Sequence, residues 1–303
     1  MKHPPFGIAL VSLVLLSACE PATVDIDTDY HDRIENAWVE REARLVADDG
    51  WLSVVGLFWL APGTQTIGSA PESDIQLPEG APPAVGALEL TDAGDVVFSA
   101  EDRADITVNG GPAEIGPLHS DADGDPDVVQ AGRIIFYLIE RSGKIGVRVK
   151  DPKAPARQSF EGLDHFPIDP AYRVTAVLEG YPEPRSVAVP TEIGEPTMML
   201  APGLLHFNLH GQALALEPYL ADSDDHELFI VFRDATSGDS TYGAGRFLSA
   251  TLEEGSDEVV LDFNLATNPP CAFTPYATCP LATPDNALPV PIEAGEKYSG
   301  EAH

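Results

Sequence analysis

The sequence predicts a mainly β fold that begins with a single α-helix. The 28 prolines and 26 glycines are spread along the chain and break it into short apolar runs. Only one segment has the four-residue apolar spacing of an amphipathic helix. A length of 303 residues and a hydrophobic fraction of 44% suit a folded chain with two modest cores.

The helix is predicted over residues 29–47. Tyr30, Ile34 and Trp38 repeat every four residues, and Arg and Glu residues occupy the opposite face. Asp29 can cap the start of the helix, as can the Thr before it, and Gly50 ends it. The later apolar runs predict strands, at residues 51–60, 134–140, 172–179, 204–209, 228–232 and 259–263.

The start of the chain has the features of a lipoprotein signal peptide. The apolar run over residues 8–16 is too short to cross a bilayer, and it leads into the lipobox-like sequence Leu-Ser-Ala-Cys. Lipidation of Cys19 would make it the new N-terminus, although an ordinary secretory signal with a chance cysteine is the alternative. Several acyl chains on one residue suffice for stable anchoring. We therefore expect an extracytoplasmic, membrane-anchored lipoprotein on the periplasmic or cell-surface side.

The overall organisation follows from these segments. We predict a signal peptide at 1–18, a tether at 19–28, the helix at 29–47, a β-sandwich at 48–165, a β-meander domain at 166–298 and a tail at 299–303. The meander is expected to be antiparallel and to curl as a sandwich or partial barrel.

The charge balance excludes one class of partner. The chain carries 49 Asp and Glu residues against 17 Lys and Arg, a net charge of −32. Nucleic-acid binding requires a basic face, so nucleic acid is not an expected partner. No phosphate loop, dinucleotide fingerprint or zinc-protease motif occurs in a suitable context, so no cofactor is predicted.

Residues 51–152 contain three landmarks in order: a glycine turn ending in Ile-Gly-Ser at 67–69, a Ser-Asp-Ile-Gln-Leu strand at 73–77, and a Val-Asn-Gly hairpin at 108–110. This order resembles the forkhead-associated sandwich. The family reads phosphothreonine with an Arg after the Ile-Gly turn, where Ser69 stands here. Because phosphate recognition needs a cationic, multi-donor contact, we expect the fold without the phosphopeptide activity.

A second resemblance covers nearly all of residues 30–298. Its motifs are the Gly-Trp-Leu start of 50–60, Phe-Arg-Asp-Ala-Thr-Ser-Gly at 232–238, Thr-Tyr-Gly-Ala-Gly-Arg-Phe-Leu at 241–248, Asp-Phe-Asn at 262–264, the cysteine-containing stretch 268–280 and Ala-Gly-Glu-Lys at 294–297. This pattern is similar to the bacterial and archaeal domain-of-unknown-function family 1684. The resemblance implies a family and a region for the site, but no reaction.

Cys271 and Cys279 lie close together in the sequence, with seven residues between them. Outside the cytoplasm such a pair is expected to form a disulfide. The alternatives are free thiols or a metal site with His206 and His210. If those two histidines occupy one strand, they lie about 13 Å apart, which is too far to share an ion.

Four carboxylates alternate in the turn Asp121, Asp123, Asp125 and Asp127, as they do in calcium loops. The glycine occupies the fourth position rather than the sixth, and no Glu follows at the twelfth. A solvated acidic turn is therefore the preferred interpretation, with a calcium site as the alternative.

Seven cationic residues fall within 25 positions of this acidic chain and form a basic island. They are Arg133, Arg141, Lys144, Arg148, Lys150, Lys153 and Arg157. Arg148, Lys150 and Arg157 are candidates for binding a small anionic ligand. The alternative is that the island pairs with the protein's own carboxylates across a domain interface.

Polar side chains are most concentrated between residues 233 and 264, in a group that we name the 233–264 polar set. Its members are Arg233, Asp234, Thr236, Thr241, Tyr242, Arg246, Asp262 and Asn264. Strand ends can present such residues into one cleft, where they would bind an anionic or hydroxylated ligand. Asp234 or Asp262 could instead act as a base, with Tyr242 or Arg246 as the electrophile. The alternative is an internal hydrogen-bonded corner.

The expected function is therefore that of a lipid-anchored ligand-binding or envelope-maintenance protein with a polar pocket in its C-terminal half. The first alternative is a metal-independent hydrolase or isomerase, and the second is a structural partner in an envelope complex. An enclosed cleft with a desolvated carboxylate would favour the enzyme. A roomy cavity would favour binding, and a flat apolar patch the structural role.

Overall fold

The computed structural model describes residues 1, 28–102, 105–122, 124–221, 225–298 and 300. Its long helix α1 (Thr28–Leu45) precedes a succession of strands, so the predicted mainly β class with one N-terminal helix is confirmed. Cys19 and the rest of the predicted signal peptide beyond residue 1 lie outside the described residues. No helix in the described ranges is long and apolar enough to cross a membrane.

The first half of the chain forms two sheets packed face to face. The six-stranded sheet has the order β1-β11-β10-β9-β6-β7, and the five-stranded sheet has the order β3-β2-β4-β5-β8. The strands are β1 (Val54–Trp59), β2 (Gly63–Gly68), β3 (Ile75–Gln76), β4 (Gly86–Leu90), β5 (Val96–Ala100), β6 (Ile106–Val108), β7 (Gly111–Pro112), β8 (Gly116–Leu118), β9 (Val128–Ala131), β10 (Ile134–Arg141) and β11 (Lys144–Lys150).

The hairpin of β10 and β11 shows how the sequence builds this core. Phe136 pairs with Val149 and points into the space between the sheets, while Tyr137 and Arg148 face the opposite side. The turn uses Ser142 and Gly143, both with positive φ, which suits the right-handed twist of the strands. Alternation therefore leaves one face of this hairpin for the core and the other for the second half of the chain.

The second half is an open antiparallel meander with no closed barrel in the described ranges. A four-stranded sheet has the order β14-β13-β12-β17, and β15 and β16 form a separate pair. The strands are β12 (Arg173–Val189), β13 (Thr197–Leu209), β14 (Gln212–Leu216), β15 (Glu227–Phe232), β16 (Arg246–Thr251) and β17 (Glu258–Asp262). A largely irregular segment, residues 263–298, follows β17 and contributes Leu288 and Ile292 to the core of these sheets.

Helix α1 packs on the second half through a narrow apolar stripe. Tyr30 and Ile34 are buried, as the helical spacing predicted, and Trp38 is half-buried. Leu45, in the last turn, is buried as well. The helix ends two residues earlier than expected. The chain turns back so closely that a Cβ on Gly50 would lie 2.4 Å from the Leu45 carbonyl oxygen, so only glycine fits there.

The segment between β11 and β12 contains the predicted boundary near residue 165. It holds a single α-helical turn, α2 (Pro155–Gln158), and a 3₁₀ turn (Pro170–Tyr172) directly before β12. The two large apolar clusters lie on either side of it in sequence. His165 in this segment stacks on Trp38 with a ring separation of 3.9 Å, which ties the segment to α1.

Candidate functional site

Asp234 and Arg246 form a buried ion pair where β15 ends and β16 begins. Arg246 Nη2 donates to Asp234 Oδ2 over 2.9 Å, and both side chains are 0% exposed. Burial lowers the pKa of the Arg246 guanidinium, and the carboxylate beside it opposes that shift. A pair removed from water in this way is tolerated only when further hydrogen bonds satisfy both groups.

Those further bonds come from the protein itself. Asp234 Oδ1 accepts from the backbone N–H of Thr236 over 2.8 Å and from its hydroxyl over 2.5 Å, and also from the N–H of Ile292 over 3.2 Å. Arg246 donates to the carbonyls of Ile292 and Ala294, whereas its buried Nε has no hydrogen-bond partner among the described residues. Asp234 is thus already saturated with donors, and Arg246 holds the C-terminal segment against β16.

Asp262 and Asn264 belong to a second cluster, which they form with the first turn of α1. The Tyr30 hydroxyl lies 3.0 Å from both Asp262 carboxylate oxygens, and Asn264 Nδ2 donates to that hydroxyl over 3.0 Å. Burial and the Asp262 carboxylate raise the pKa of Tyr30 far above its usual range, so Tyr30 remains a neutral donor. Asn264 also exchanges hydrogen bonds with the backbone of Asp169.

The 233–264 polar set is therefore divided rather than gathered around one cleft. Asp234, Thr236, Thr241 and Arg246 form one cluster, in which the two threonine hydroxyls lie 2.8 Å apart. Asp262 and Asn264 form the other cluster, and Arg233 is exposed. Tyr242 donates to the Cys271 carbonyl over 3.1 Å. This arrangement is the internal hydrogen-bonded corner that the sequence left open as an alternative.

A third polar contact was not anticipated from the sequence. Arg41 Nε lies 3.1 Å from Glu296 Oε1, and Arg41 Nη2 donates to the Asn268 carbonyl over 2.9 Å. Glu296 is 1% exposed, and burial raises its pKa although Arg41 opposes the shift. The Trp38 indole N–H donates to the Asn264 carbonyl, so α1 is held at several points along its length.

Beside these clusters lies a groove of about 280 Å³ between α1 and β16, which we name the α1–β16 groove. Its lining residues are Ala37, Trp38, Arg41, Arg44, Phe247, Ser249, Leu265 and Thr267. The Arg44 side chain is 66% exposed, and its guanidinium is 3.9 Å from the carboxylate of Glu40. Arg41 and Arg44 are three residues apart and so share one face of the helix, a signal that sequence reasoning could have used.

The two cysteines of the C-terminal half are free thiols in the structure, not the disulfide predicted from the sequence. They are nevertheless neighbours, since the Cys271 N–H donates to the Cys279 sulfur over 3.2 Å. Of the two histidines considered as alternative partners, His206 contacts Glu179 and His210 packs on the ring of Tyr172. The described ranges contain no group of three or more potential ligands arranged for a metal.

Most of the basic island is engaged with the protein's own carboxylates. The ion pairs are Arg133–Asp151 at 3.0 Å, Arg141–Asp121 at 2.7 Å, Lys144–Glu195 at 2.6 Å and Arg157–Asp48 at 2.6 Å. Lys150 donates to the Asp49 carbonyl and lies over the Tyr137 ring. Internal pairing, the alternative interpretation, therefore accounts for most of the island.

Arg148 differs from the rest of the island. It is 3% exposed, and its guanidinium lies 5.0 Å from the ring centre of Trp51 and donates to the Thr278 hydroxyl over 3.4 Å. Its Nε has no hydrogen-bond partner among the described residues. Arg148 thus lies beneath the cysteine loop and does not line the α1–β16 groove.

In the described part of the acidic turn at 121–127, the carboxylates do not converge on one point where a cation could bind. Asp121 pairs with Arg141, and Asp127 accepts from the N–H of His119 over 2.7 Å. That backbone bond is the main reason the pKa of Asp127 is lowered. Asp125 is exposed, and Asp123 lies outside the described residues.

Ser69, at the position where the forkhead-associated family has its arginine, is half-buried. Its hydroxyl donates to the Ala81 carbonyl over 2.9 Å, and its N–H donates to the Pro82 carbonyl. The absence of phosphothreonine binding stays a prediction.

Comparison with known proteins places these features in a family. A family model described as "Protein of unknown function (DUF1684)" matches residues 158–297, the segment that holds Asp234, Arg246, Asp262, Asn264 and the two cysteines of the C-terminal half. The solution NMR structure of an uncharacterized protein from Haloarcula marismortui is 35% identical, over 46% of this chain and 78% of that chain, with a TM-score of 0.40. No curated protein matches. The family match contains the motifs found in the sequence from residue 232 onward, and the chain belongs to the DUF1684 family.

Proposed function

We propose that this protein is a lipid-anchored extracytoplasmic binding protein that holds a small amphipathic anion in the α1–β16 groove. The lipobox-like sequence ending at Cys19 supports the location. The groove supports the binding role, because it combines an apolar lining with cationic groups. In that location we also expect Cys271 and Cys279 to form a disulfide under oxidising conditions.

The observation that carries the binding proposal is the position of two guanidiniums beside aromatic surface. Arg41 and Arg44 lie along one side of the groove, with Trp38 and Phe247 among its other lining residues. Guanidinium groups bind carboxylates and phosphates through charge-assisted hydrogen bonds. The aromatic and aliphatic lining would cover an alkyl or ring portion of the same molecule.

The pair that Arg44 makes with Glu40 does not oppose this role. The two side chains are 66% and 75% exposed, and the ion pair spans 3.9 Å. Exposed helical pairs of this kind contribute only about 0.3–0.5 kcal/mol, so a ligand anion can replace Glu40 at little cost. Arg41 is different, because its contact with the buried Glu296 fixes its orientation.

The size of the groove limits the ligand. A volume of about 280 Å³ lies at the lower end of the range of roughly 300–1,000 Å³ that is typical of small-molecule sites. We therefore expect a short- or medium-chain acid or a small organic phosphate rather than a long lipid or a peptide.

The enzymatic alternative has less support than the binding role. A general base needs an oxygen that is available to a substrate. Asp234 accepts bonds from Arg246, Thr236 and Ile292, and Asp262 accepts from Tyr30 and Asn264. Both carboxylates are thus engaged in holding segments of the protein together.

The test is to titrate the full chain with octanoate and, separately, with octyl phosphate. Isothermal calorimetry and tryptophan fluorescence measure the binding. We expect saturable binding of both anions and none of octylamine. Arg44→Gln should weaken binding at least fivefold, because it removes the exposed cation of the groove. Arg33→Gln is the matched control, since Arg33 is an exposed residue of the same helix and does not line the groove.

Two outcomes would overturn the proposal. One is the absence of saturable binding of either anion to the folded protein. The other is equal weakening by Arg44→Gln and Arg33→Gln, which would indicate a general effect of charge on the helix rather than a site.

A further inference from the structure

We propose that Cys271 and Cys279 form a dithiol–disulfide exchange site, in which Cys271 attacks a disulfide of a partner molecule and Cys279 resolves the mixed disulfide. This inference goes beyond anion binding. It rests on the proposed extracytoplasmic location in one respect only, because that location would supply the disulfide-containing partner molecules. Its evidence is the geometry of the loop that carries both thiols.

The backbone already brings the two cysteines together. Cys271 lies in a short 3₁₀ turn (Pro270–Ala272), and its N–H donates to the Cys279 sulfur over 3.2 Å. The Cys279 carbonyl accepts from the N–H of Glu192 over 3.0 Å, and the Cys271 carbonyl accepts from the Tyr242 hydroxyl. Both ends of the loop are thus fixed, so closing the disulfide mainly requires adjustment of the two cysteine side chains.

The body of the loop is held against the first half of the chain. The Thr274 hydroxyl donates to the Val54 carbonyl over 3.1 Å, and Thr278 accepts from the Arg141 guanidinium over 3.2 Å. Pro275 and Tyr276 at the apex are exposed. The loop is therefore ordered in the reduced state, and a partner molecule can approach it from the side of its exposed apex.

The two thiols differ in access, as an attacking and a resolving thiol should. Cys271 is partly exposed, whereas Cys279 is only 5% exposed. An incoming disulfide therefore reaches Cys271 first, and Cys279 is protected until the mixed disulfide has formed.

The electrostatic environment supports the same assignment. The Cys279 thiol lowers the pKa of Cys271 through a hydrogen bond, burial opposes that shift, and the Tyr242 hydroxyl lowers the pKa further. The pKa of Cys279 is raised by its bond to Cys271 and by burial. Since the thiolate is the nucleophile, Cys271 is the more reactive of the two at neutral pH.

The bonds, electrons and protons of the exchange balance with the partner disulfide as the oxidant. The Cys271 thiolate forms a bond to one sulfur of the partner disulfide, and the partner's sulfur–sulfur bond breaks to release a first thiolate. Cys279 then loses its proton and attacks the Cys271 sulfur, which releases the second thiolate. Two protein thiols are oxidised to one disulfide, one partner disulfide is reduced to two thiols, and the two protein protons end on the leaving thiolates.

The first test measures reactivity without altering the pair. The full chain carrying Cys19→Ser has Cys271 and Cys279 as its only thiols. After reduction it is treated with a limiting amount of iodoacetamide and mapped by mass spectrometry. We expect Cys271 to be alkylated at least tenfold faster than Cys279. Equal rates, or faster labelling of Cys279, would overturn the assignment.

The second test uses oxidised glutathione as the partner disulfide. The pair should form an internal disulfide, Cys279→Ser should accumulate glutathione on Cys271, and Cys271→Ser should accumulate little glutathione. A pair that stays reduced in excess oxidised glutathione would overturn the proposal. So would an internal disulfide that reduced glutathione cannot reopen, because the bond would then be purely structural.

Tyr242→Phe provides a matched check on the mechanism. Loss of the hydroxyl should slow the reaction of Cys271 several-fold and raise the pH at which it reacts, while leaving Cys279 slow. Thermal unfolding of each variant shows whether the fold is retained. These assays use protein in solution, so their outcome does not depend on lipid anchoring or on anion binding. A failure of the exchange proposal can therefore be distinguished from a failure of the proposed function.

Discussion

Arg246 and Asp234 lie 2.9 Å apart with no part of either side chain exposed, although 12 positions separate them in the sequence. The pair joins the end of β15 to the start of β16. Through the carbonyls of Ile292 and Ala294 it also fixes the C-terminal segment. Asp234 and Arg246 lie in the segment that matches the family model. They therefore hold a corner of the fold together rather than line a cavity.

We expect Arg246→Met to lower the free energy of unfolding by about 3–5 kcal/mol, because Asp234 would remain buried without its cation. Urea denaturation of the wild-type protein and the variant measures this loss. The double variant Arg246→Met with Asp234→Leu should be less destabilised than the sum of the single changes. Strict additivity would show that the two side chains do not depend on each other.

Tyr30→Phe should lower the free energy of unfolding by about 1–3 kcal/mol, because it leaves the buried Asp262 carboxylate without the hydroxyl donor from α1. Tyr137→Phe is the matched control, since Tyr137 makes a ring contact with Lys150 that phenylalanine preserves. Equal effects of the two changes in chemical denaturation would contradict the role given to Tyr30.

Glu296 should make stability depend on pH in a defined direction. Burial raises its pKa above the ordinary value of 4.5. The folded state therefore binds this proton more tightly than the unfolded state. Its contribution to stability is complete below the unfolded pKa and is lost as the pH rises through the folded pKa.

Comparison with Glu296→Gln isolates that contribution. Unfolding free energies between pH 4 and pH 8 should show the wild-type protein losing stability relative to this variant as the pH rises above about 4.5. Glu72→Gln is the control, because Glu72 is an exposed glutamate of the first half of the chain. Parallel curves for the wild-type protein and Glu296→Gln would contradict the prediction.

Cys19→Ala should abolish lipid attachment, because the thiol of this residue is the predicted acylation site. Metabolic labelling with palmitate followed by gel fluorography measures the attachment. Cys271→Ala is the control and should keep the label. Palmitate incorporation into the Cys19→Ala protein would contradict the lipoprotein prediction.

The helix and the strands β1, β10, β12, β13, β15 and β17 were predictable from the sequence because they depend on short-range patterns, whereas the shorter strands of the first half were not predicted. The four-residue spacing of Tyr30, Ile34 and Trp38 predicted α1, which extends from Thr28 to Leu45 rather than from 29 to 47. The exact end depends on the close packing of Gly50 against the last turn of the helix, which no spacing records. The family motifs from residue 232 onward were also visible in the sequence and lie within the match at 158–297, whereas the Gly-Trp-Leu motif at 50–60 lies outside it.

The roles of the polar residues could not be assigned from the sequence in the same way. The 233–264 polar set has the composition of a binding pocket, yet Asp262 is bonded to Tyr30, which lies 232 positions away. Arg41 and Glu296 are 255 positions apart. The groove that carries the binding proposal likewise combines residues of α1 with residues of β16.

The sequence by itself therefore determined the mainly β class, the N-terminal helix, the family and the acidic character of the chain. Only the tertiary structure decided that Asp234 and Arg246 are bonded internally, that Arg44 is exposed beside a groove, and that Cys271 and Cys279 are adjacent. The physical reason is that periodicity reflects hydrogen bonding and burial between near neighbours. The chemical availability of a charged or sulfur-containing side chain depends instead on desolvation and on partners that distant segments supply.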